Sequence, residues 1–185
     1  SLPIQLDWLF EEYKNDIKQL YDNNIAPTNI IRSEWEIYSS SFIHQPTRSV
    51  QPLLSCNWDQ GSPWNDMCPE DFNGPGGNAL VGCVAVSMAQ VMYYWKYPEV
   101  GSGDHGYNHG NYGYQYADFG DTFYDYDNME STWGTEASSL LLYHAGVSVN
   151  MGYGVDGSGA SVFGSSPSTY YAMRNYFLYK NSMDQ

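Results

Sequence analysis

The run Gly82-Cys83-Val84-Ala85-Val86-Ser87-Met88-Ala89-Gln90-Val91-Met92 constrains the fold of this chain more than any other segment. It is apolar at nearly every position and contains no internal Gly or Pro. That pattern predicts a helix from about Cys83 to Tyr94, apolar on nearly every side and hence central and buried. Pro98 stops it. Ser87 and Gln90 interrupt the apolar stretch, which is also too short to span a bilayer. The helix begins with a lone thiol directly after a glycine. Free amide N–H groups and the positive end of the helix dipole favour a thiolate at such a place. The same amides can receive an oxyanion. Cys83 is therefore a candidate nucleophile, and its own N–H a candidate oxyanion donor. The competing reading is an inert, buried cysteine.

Around this helix the chain has enough material for one ordinary domain. Its 185 residues are 42% hydrophobic and 17% aromatic, which is sufficient for a packed core. Leu2 to Leu20 reads as an amphipathic helix, with Leu6, Leu9, Phe10, Tyr13, Ile17 and Leu20 at spacings of three and four. Asn23-Asn24 ends it. Residues 25–50 are mixed and polar, and Pro46-Thr47-Arg48-Ser49 reads as an exposed connector where chains are nicked. Residues 51–82 are mostly turns. Residues 99–134 suggest irregular loops with short strands. Glu136 to Gly146 predicts a second buried helix ending at Gly146. Val147 to Met151 then predicts a short strand, and about Ser168 to Tyr179 a last helix.

Charge excludes several partners. With 7 Lys and Arg against 21 Asp and Glu, the chain has a formal net charge of −14. Nucleic acid, which needs a basic surface, is excluded as a partner, and anionic membranes are disfavoured. No membrane insertion is expected. The three cysteines leave one thiol over if two join. Either Cys56 and Cys68 are bridged across the turn-rich stretch between them, or all three are reduced.

A thiol hydrolase also needs an imidazole to shuttle the proton, a group to orient it, and oxyanion donors. Gln60, in a Gln-Gly turn, is the candidate for a second oxyanion donor through its side-chain amide. None of the four histidines stands in an obvious position to serve Cys83. His44, His105, His109 and His144 are the candidate substitute bases, with His105 first. Asp125 to Glu130 alternates oxygen ligands but lacks the glycine and spacing of a calcium loop. No metal and no cofactor are expected. Tyr107, Tyr112, Tyr114 and Tyr116 alternate in part and suggest either a sugar-stacking face or an ordinary exposed tyrosine-rich strand.

Several separated motifs then bring a family into view. They are Asn57-Trp58-Asp59-Gln60-Gly61-Ser62-Pro63-Trp64-Asn65, Val81-Gly82-Cys83-Val84-Ala85, Met88-Ala89-Gln90-Val91-Met92 and Lys96-Tyr97-Pro98, followed by Ala145 to Gly154. In this order they closely resemble the streptopain and interpain family of secreted bacterial cysteine proteases, a papain-like group. The resemblance implies an α+β papain-like fold, here mostly its helical half. It implies Cys83 as nucleophile and Gln60 as the oxyanion-hole glutamine. Gly82, with Ser158, Gly159, Ala160 and Ser161, is implied to edge the substrate cleft. Residues 1–46 resemble the tail of a propeptide and 47–185 the first part of the protease domain, with a processing point within 46–51. The family's histidine lies in a Gly-His-Ala-type strand far downstream, and the sequence ends at Gln185 before it.

The expected function is therefore a cysteine endopeptidase made as a zymogen. Its partners would be polypeptide substrates and either a propeptide or a histidine-bearing C-terminal half, in cis or in trans. The 185-residue chain alone is expected to be inactive. The alternative is a non-catalytic secreted binding module with a tyrosine-rich acidic surface.

Overall fold

The structure is a computed structural model and describes residues 4–41 and 52–179. Two units divide it, residues 1–51 and residues 52–185. The expected connector at 46–49, the processing point at 46–51 and His44 lie outside the described residues.

In the first unit, α1 spans Ile4–Asp22 and α2 spans Asn29–Ser41. Asn23 ends α1 by turning its side-chain amide onto the Gln19 carbonyl at 2.8 Å, and Asn24 takes the left-handed conformation with φ 54°. Thr28 starts α2 by accepting from the Ile31 N–H at 3.3 Å. This second helix was not foreseen, because Trp35, Ile37 and Tyr38 make too sparse an apolar pattern. Phe10, Tyr13, Ile17 and Leu20 of α1 are all exposed.

The second unit is built on α3 (Cys83–Trp95) and α4 (Glu136–Ser148), which pack against each other. Between them lies an antiparallel hairpin of β1 (Asp104–His109) and β2 (Gly113–Asp118), and α5 (Thr169–Asn175) follows. Short 3₁₀ turns at Pro75–Gly77 and Tyr126–Asn128 shape the loops. The core is filled by Met92 of α3, Leu141, Leu142 and Val147 of α4, and Phe119, Tyr124, Met151 and Phe177 from the connections.

Two expectations are corrected. The α3 helix is not covered all round: Ala85, Val86, Met88, Ala89 and Met92 are buried, but Cys83, Ser87, Val91, Tyr94 and Trp95 lie open along one face. A uniformly apolar helix hides which face the tertiary structure leaves bare. Gly146 is not a helix end, and no strand follows it. The α4 helix runs on to Ser148, and Asn150 at φ 52° turns the chain so that the Met151 N–H returns to the Gly146 carbonyl at 3.0 Å. Gly146 is needed inside the helix because a Cβ there would lie 2.4 Å from the Tyr153 hydroxyl oxygen. The start of α4 follows sequence rules closely. Thr135 and Ser138 form a reciprocal capping box.

Cys56, Cys68 and Cys83 are all free thiols, so the Cys56–Cys68 bridge is not formed. Cys56 and Cys68 are buried, and burial pushes the Cys68 thiol up to about 12. Among the described residues no helix is long and apolar enough to cross a membrane.

Candidate active site

The site is assembled by the short extended segment 79–82, which runs between two neighbours. On one side, the Val81 N–H donates to the Gln60 carbonyl at 2.9 Å. On the other, the Leu80 N–H donates to the Gly154 carbonyl at 3.0 Å, and the Ser158 hydroxyl donates to the Leu80 carbonyl at 2.7 Å. Segments 59–61, 79–83 and 154–158, distant in sequence, are thereby laid side by side.

The next residue, Gly82, has φ 92° and ψ 134°, a conformation that L side chains rarely adopt. Its surroundings exclude a side chain as well. A Cβ would fall 2.6 Å from the Met151 sulfur and 3.1 Å from the Ser158 Cβ. Gly82 then turns the chain into α3, and its carbonyl receives the Val86 N–H at 3.1 Å. The amides of Cys83, Val84 and Ala85 precede that first bond and have no intrahelical acceptor. No side chain caps this end, and Cys83 is exposed. The thiol thus stands in solvent at the positive end of a helix, beside three available N–H donors.

The loop bearing Gln60 is fixed by two asparagines, Asn65 and Asn78. The buried Asn65 donates its side-chain amide to the carbonyls of Pro75, Asn78 and Ala79 at 2.8, 3.2 and 3.1 Å. Asn78 reciprocates, donating to the carbonyls of Asn65, Asp66 and Cys68 at 3.0, 3.0 and 3.2 Å. The 61–68 turn and the 74–79 loop are cross-braced in this way. Gln60 leads into the first and the Cys83 segment leaves the second. The signal was present in sequence as two asparagines within turn clusters, but only the fold shows that each satisfies the carbonyls of the other's loop.

A cleft of about 460 Å³ opens next to the thiol, lined by Cys83, Val84, Ser87, Met88, Val91, Val162, Thr169 and Met173. Its lining is mainly aliphatic and sulfur-bearing. The contributions of Val162, Thr169 and Met173 were missed, since nothing local marks them. Of the expected cleft edge, Ser158 spends its hydroxyl inside the protein, donating to Leu80 and accepting from the Gly154 N–H at 3.0 Å. Gly159 pairs through both backbone groups with Gly152. Ala160 is half-buried and Ser161 exposed, its carbonyl taking the Thr169 N–H at 3.0 Å.

The described histidines are engaged elsewhere. His105 places Nε2 2.6 Å from the Asn150 Oδ1 and Nδ1 3.3 Å from the Tyr176 hydroxyl. His109 accepts at Nδ1 from the N–H groups of Asn111 and Tyr112. His144 is buried in α4 with Nδ1 3.1 Å from the Tyr124 hydroxyl, and burial lowers it to about 4. The Asp125–Glu130 segment is likewise turned to local bonds: Asp125 accepts from the Asn128 amide, and Asp127 pairs with Lys96 at 2.5 Å.

Against known proteins, a model of the Peptidase C10 family matches residues 58–185. The chain is 29% identical to the thiol protease/hemagglutinin PrtT of Porphyromonas gingivalis over 98% of its own length and 22% of that protein's. It is 28% identical to streptopain of Streptococcus pyogenes over 77% of its length and 40% of that protein's. Among solved structures it resembles active interpain A of Prevotella intermedia, a cysteine protease, with a TM-score of 0.59 and 35% identity over 69% of this chain and 55% of that one. A prointerpain A fragment aligns with a TM-score of 0.58 and 29% identity over 82% of this chain and 56% of that one. The chain thus spans under half the length of these curated relatives and just over half of the solved chains. The fold is that of the papain-like cysteine proteases, mostly its helical part.

Proposed function

Because the chain belongs to the Peptidase C10 family, we propose that it carries the nucleophile and oxyanion hole of a streptopain-like cysteine endopeptidase. The observation that carries this reading is the Val81–Gln60 backbone bond, two residues before an exposed thiol on an uncapped helix start. In the proposed reaction, the Cys83 thiolate attacks the carbonyl carbon of a peptide bond. The new C–S bond forms as the carbonyl π electrons move to oxygen. The Cys83 N–H and the Gln60 side-chain amide hold that oxyanion. The intermediate collapses with loss of the amine, which takes a proton from an imidazolium, and water then hydrolyses the thioester.

With His105, His109 and His144 engaged elsewhere, the imidazole in this scheme comes from outside the described residues. The chain without that partner would be nearly inert as a peptidase. Residues 1–46 are proposed as the tail of a propeptide and 47–185 as protease domain. This is supported by the family match starting at residue 58 and by the prointerpain fragment aligning with more of the chain than the active enzyme does. A zymogen of this kind, processed within 46–51, would act outside the cell on polypeptides. The cleft edge at Gly82 and 158–161 would receive the substrate.

The test is Gln60→Ala in the protease reconstituted with its histidine-bearing portion. Loss of one oxyanion donor predicts a fall in kcat of about 10²–10³ with KM nearly constant. Cys83→Ser should remove activity altogether. Full peptidase activity in either variant would refute the assignment.

A further inference from the structure

The β1–β2 hairpin has two faces of opposite character. His105, Tyr107, Gln115 and Ala117 turn inward and are buried or half-buried. The outer face carries Asp104, Gly106 and Asn108 of β1 opposite Asp118, Tyr116 and Tyr114 of β2. Tyr114 and Tyr116 are 63% and 44% exposed, and their rings lie within 20° of parallel with centroids 6.3 Å apart. Both lean across the sheet onto β1. A Cβ at Gly106 would lie 2.2 Å from the Tyr114 hydroxyl oxygen, and the Asp104 carboxylate acts electrostatically on the Tyr116 phenol. Gly106 is therefore what lets the Tyr114 ring lie over the strand. The result is a tiled aromatic surface facing solvent.

One end of this surface is strongly anionic. Asp104 and Asp118 stand directly opposite each other across the strands, an arrangement that repels. Asp121 follows closely, its N–H on the Asp118 carboxylate at 3.0 Å. Neither Asp104 nor Asp118 takes part in the ion pairs Lys14–Glu11 and Lys96–Asp127. No Lys or Arg occurs anywhere between Lys96 and Arg174. Two parallel aromatic faces bordered by opposed carboxylates complement a planar cation. The molecule already uses this chemistry once: the Arg174 guanidinium carbon sits 4.9 Å over the Tyr170 ring and its Nη1 donates to the Tyr170 hydroxyl at 2.6 Å.

We propose that the outer face of the β1–β2 hairpin docks an arginine-bearing polypeptide segment, with guanidinium groups stacked on Tyr114 and Tyr116 and paired with Asp104 and Asp118. Arginine fits better than lysine because its flat fork lies on a ring while still reaching a carboxylate. This docking stands apart from the catalytic reading, because it needs neither Cys83 nor a histidine.

The experiment measures anisotropy of a fluorescein-labelled decapeptide of alternating Arg and Gly binding to the whole 185-residue chain, at about 20 mM and about 150 mM salt. The Lys-for-Arg peptide and a labelled cellohexaose serve as comparisons. The Arg peptide is expected to bind several-fold more tightly than the Lys peptide. Tyr114→Leu/Tyr116→Leu, which keeps apolar area but removes the π faces, should weaken it about tenfold. Asp104→Asn should weaken it several-fold, and Asp156→Asn, the same charge change on the 157–161 side, should not. Equal losses for Asp104→Asn and Asp156→Asn, or unchanged binding in the tyrosine variant, would overturn the proposal in favour of diffuse attraction to an acidic protein. Cellohexaose binding lost in the tyrosine variant, with no Arg-peptide binding, would overturn it in favour of a glycan site.

Discussion

Replacing Gly82 by alanine tests the geometry that aims the nucleophile. Two costs are separable. The first is backbone strain, since φ 92° lies where an L residue is disfavoured, worth about 1–3 kcal/mol. The second is overpacking. The new methyl would sit 2.6 Å from the Met151 sulfur and 2.8 Å from its terminal carbon, and Met151 is fully buried. Forcing a methyl into such a place typically costs about 1–3 kcal/mol. Gly82→Ala should therefore destabilise the 52–185 unit by about 2–6 kcal/mol in total. Urea unfolding followed by near-ultraviolet circular dichroism reads this through the buried Trp58 and Trp64. The two contributions come apart in a double-mutant cycle with Met151→Val, which removes the sulfur and its methyl. In that background Gly82→Ala should lose the overpacking part and keep the strain. Strictly additive costs would show that Met151 does not meet the new carbon. A single-variant cost below about 0.5 kcal/mol, the level of an ordinary surface change, would refute the strained geometry itself.

Two further predictions concern the scaffold. His144 is neutral in the fold and lowered from its ordinary 6.5 to about 4 by burial, so the unfolded chain binds the proton first. Stability should be unaffected by this group above about pH 6.5, fall as pH drops through the window to about 4, and lose about 3 kcal/mol across it, a slope that His144→Gln should flatten in pH-dependent urea melts. An unchanged slope in that variant would reject the assignment. Asn65→Ala removes the side-chain amide shared by three acceptors and leaves the Pro75, Asn78 and Ala79 carbonyls short of a partner, for about 2–4 kcal/mol. It should also raise hydrogen exchange of the Val81 amide, which a merely local loss of stability far from Gln60 would not do.

How much was legible beforehand follows from the range of each interaction. The α3 helix, its cysteine at the first position and the boundary at Lys96–Pro98 follow from nearest-neighbour chemistry. So does the Thr135–Ser138 cap, once a helix is placed there. The end of α4 was misread because Gly146 looks like a stop signal locally, whereas its role is to receive the Tyr153 ring from seven residues on. The missed α2 helix shows the opposite failure, a regular element whose apolar residues are too sparse to announce it.

The amino-acid order determined which atoms can do chemistry: a thiol behind a glycine at the head of an apolar helix, with a glutamine in a turn upstream, because residue type and helix capping act over a few positions. Only the tertiary structure decided which of these meet and what stays open. Gln60 is tied to the Cys83 segment by its own carbonyl, which accepts from the Val81 N–H, Met151 closes over Gly82, and Val162, Thr169 and Met173 complete a cleft with one face of α3. Those contacts join residues up to ninety positions apart, and they depend on how three loops share hydrogen bonds with one extended segment, a property no local window contains.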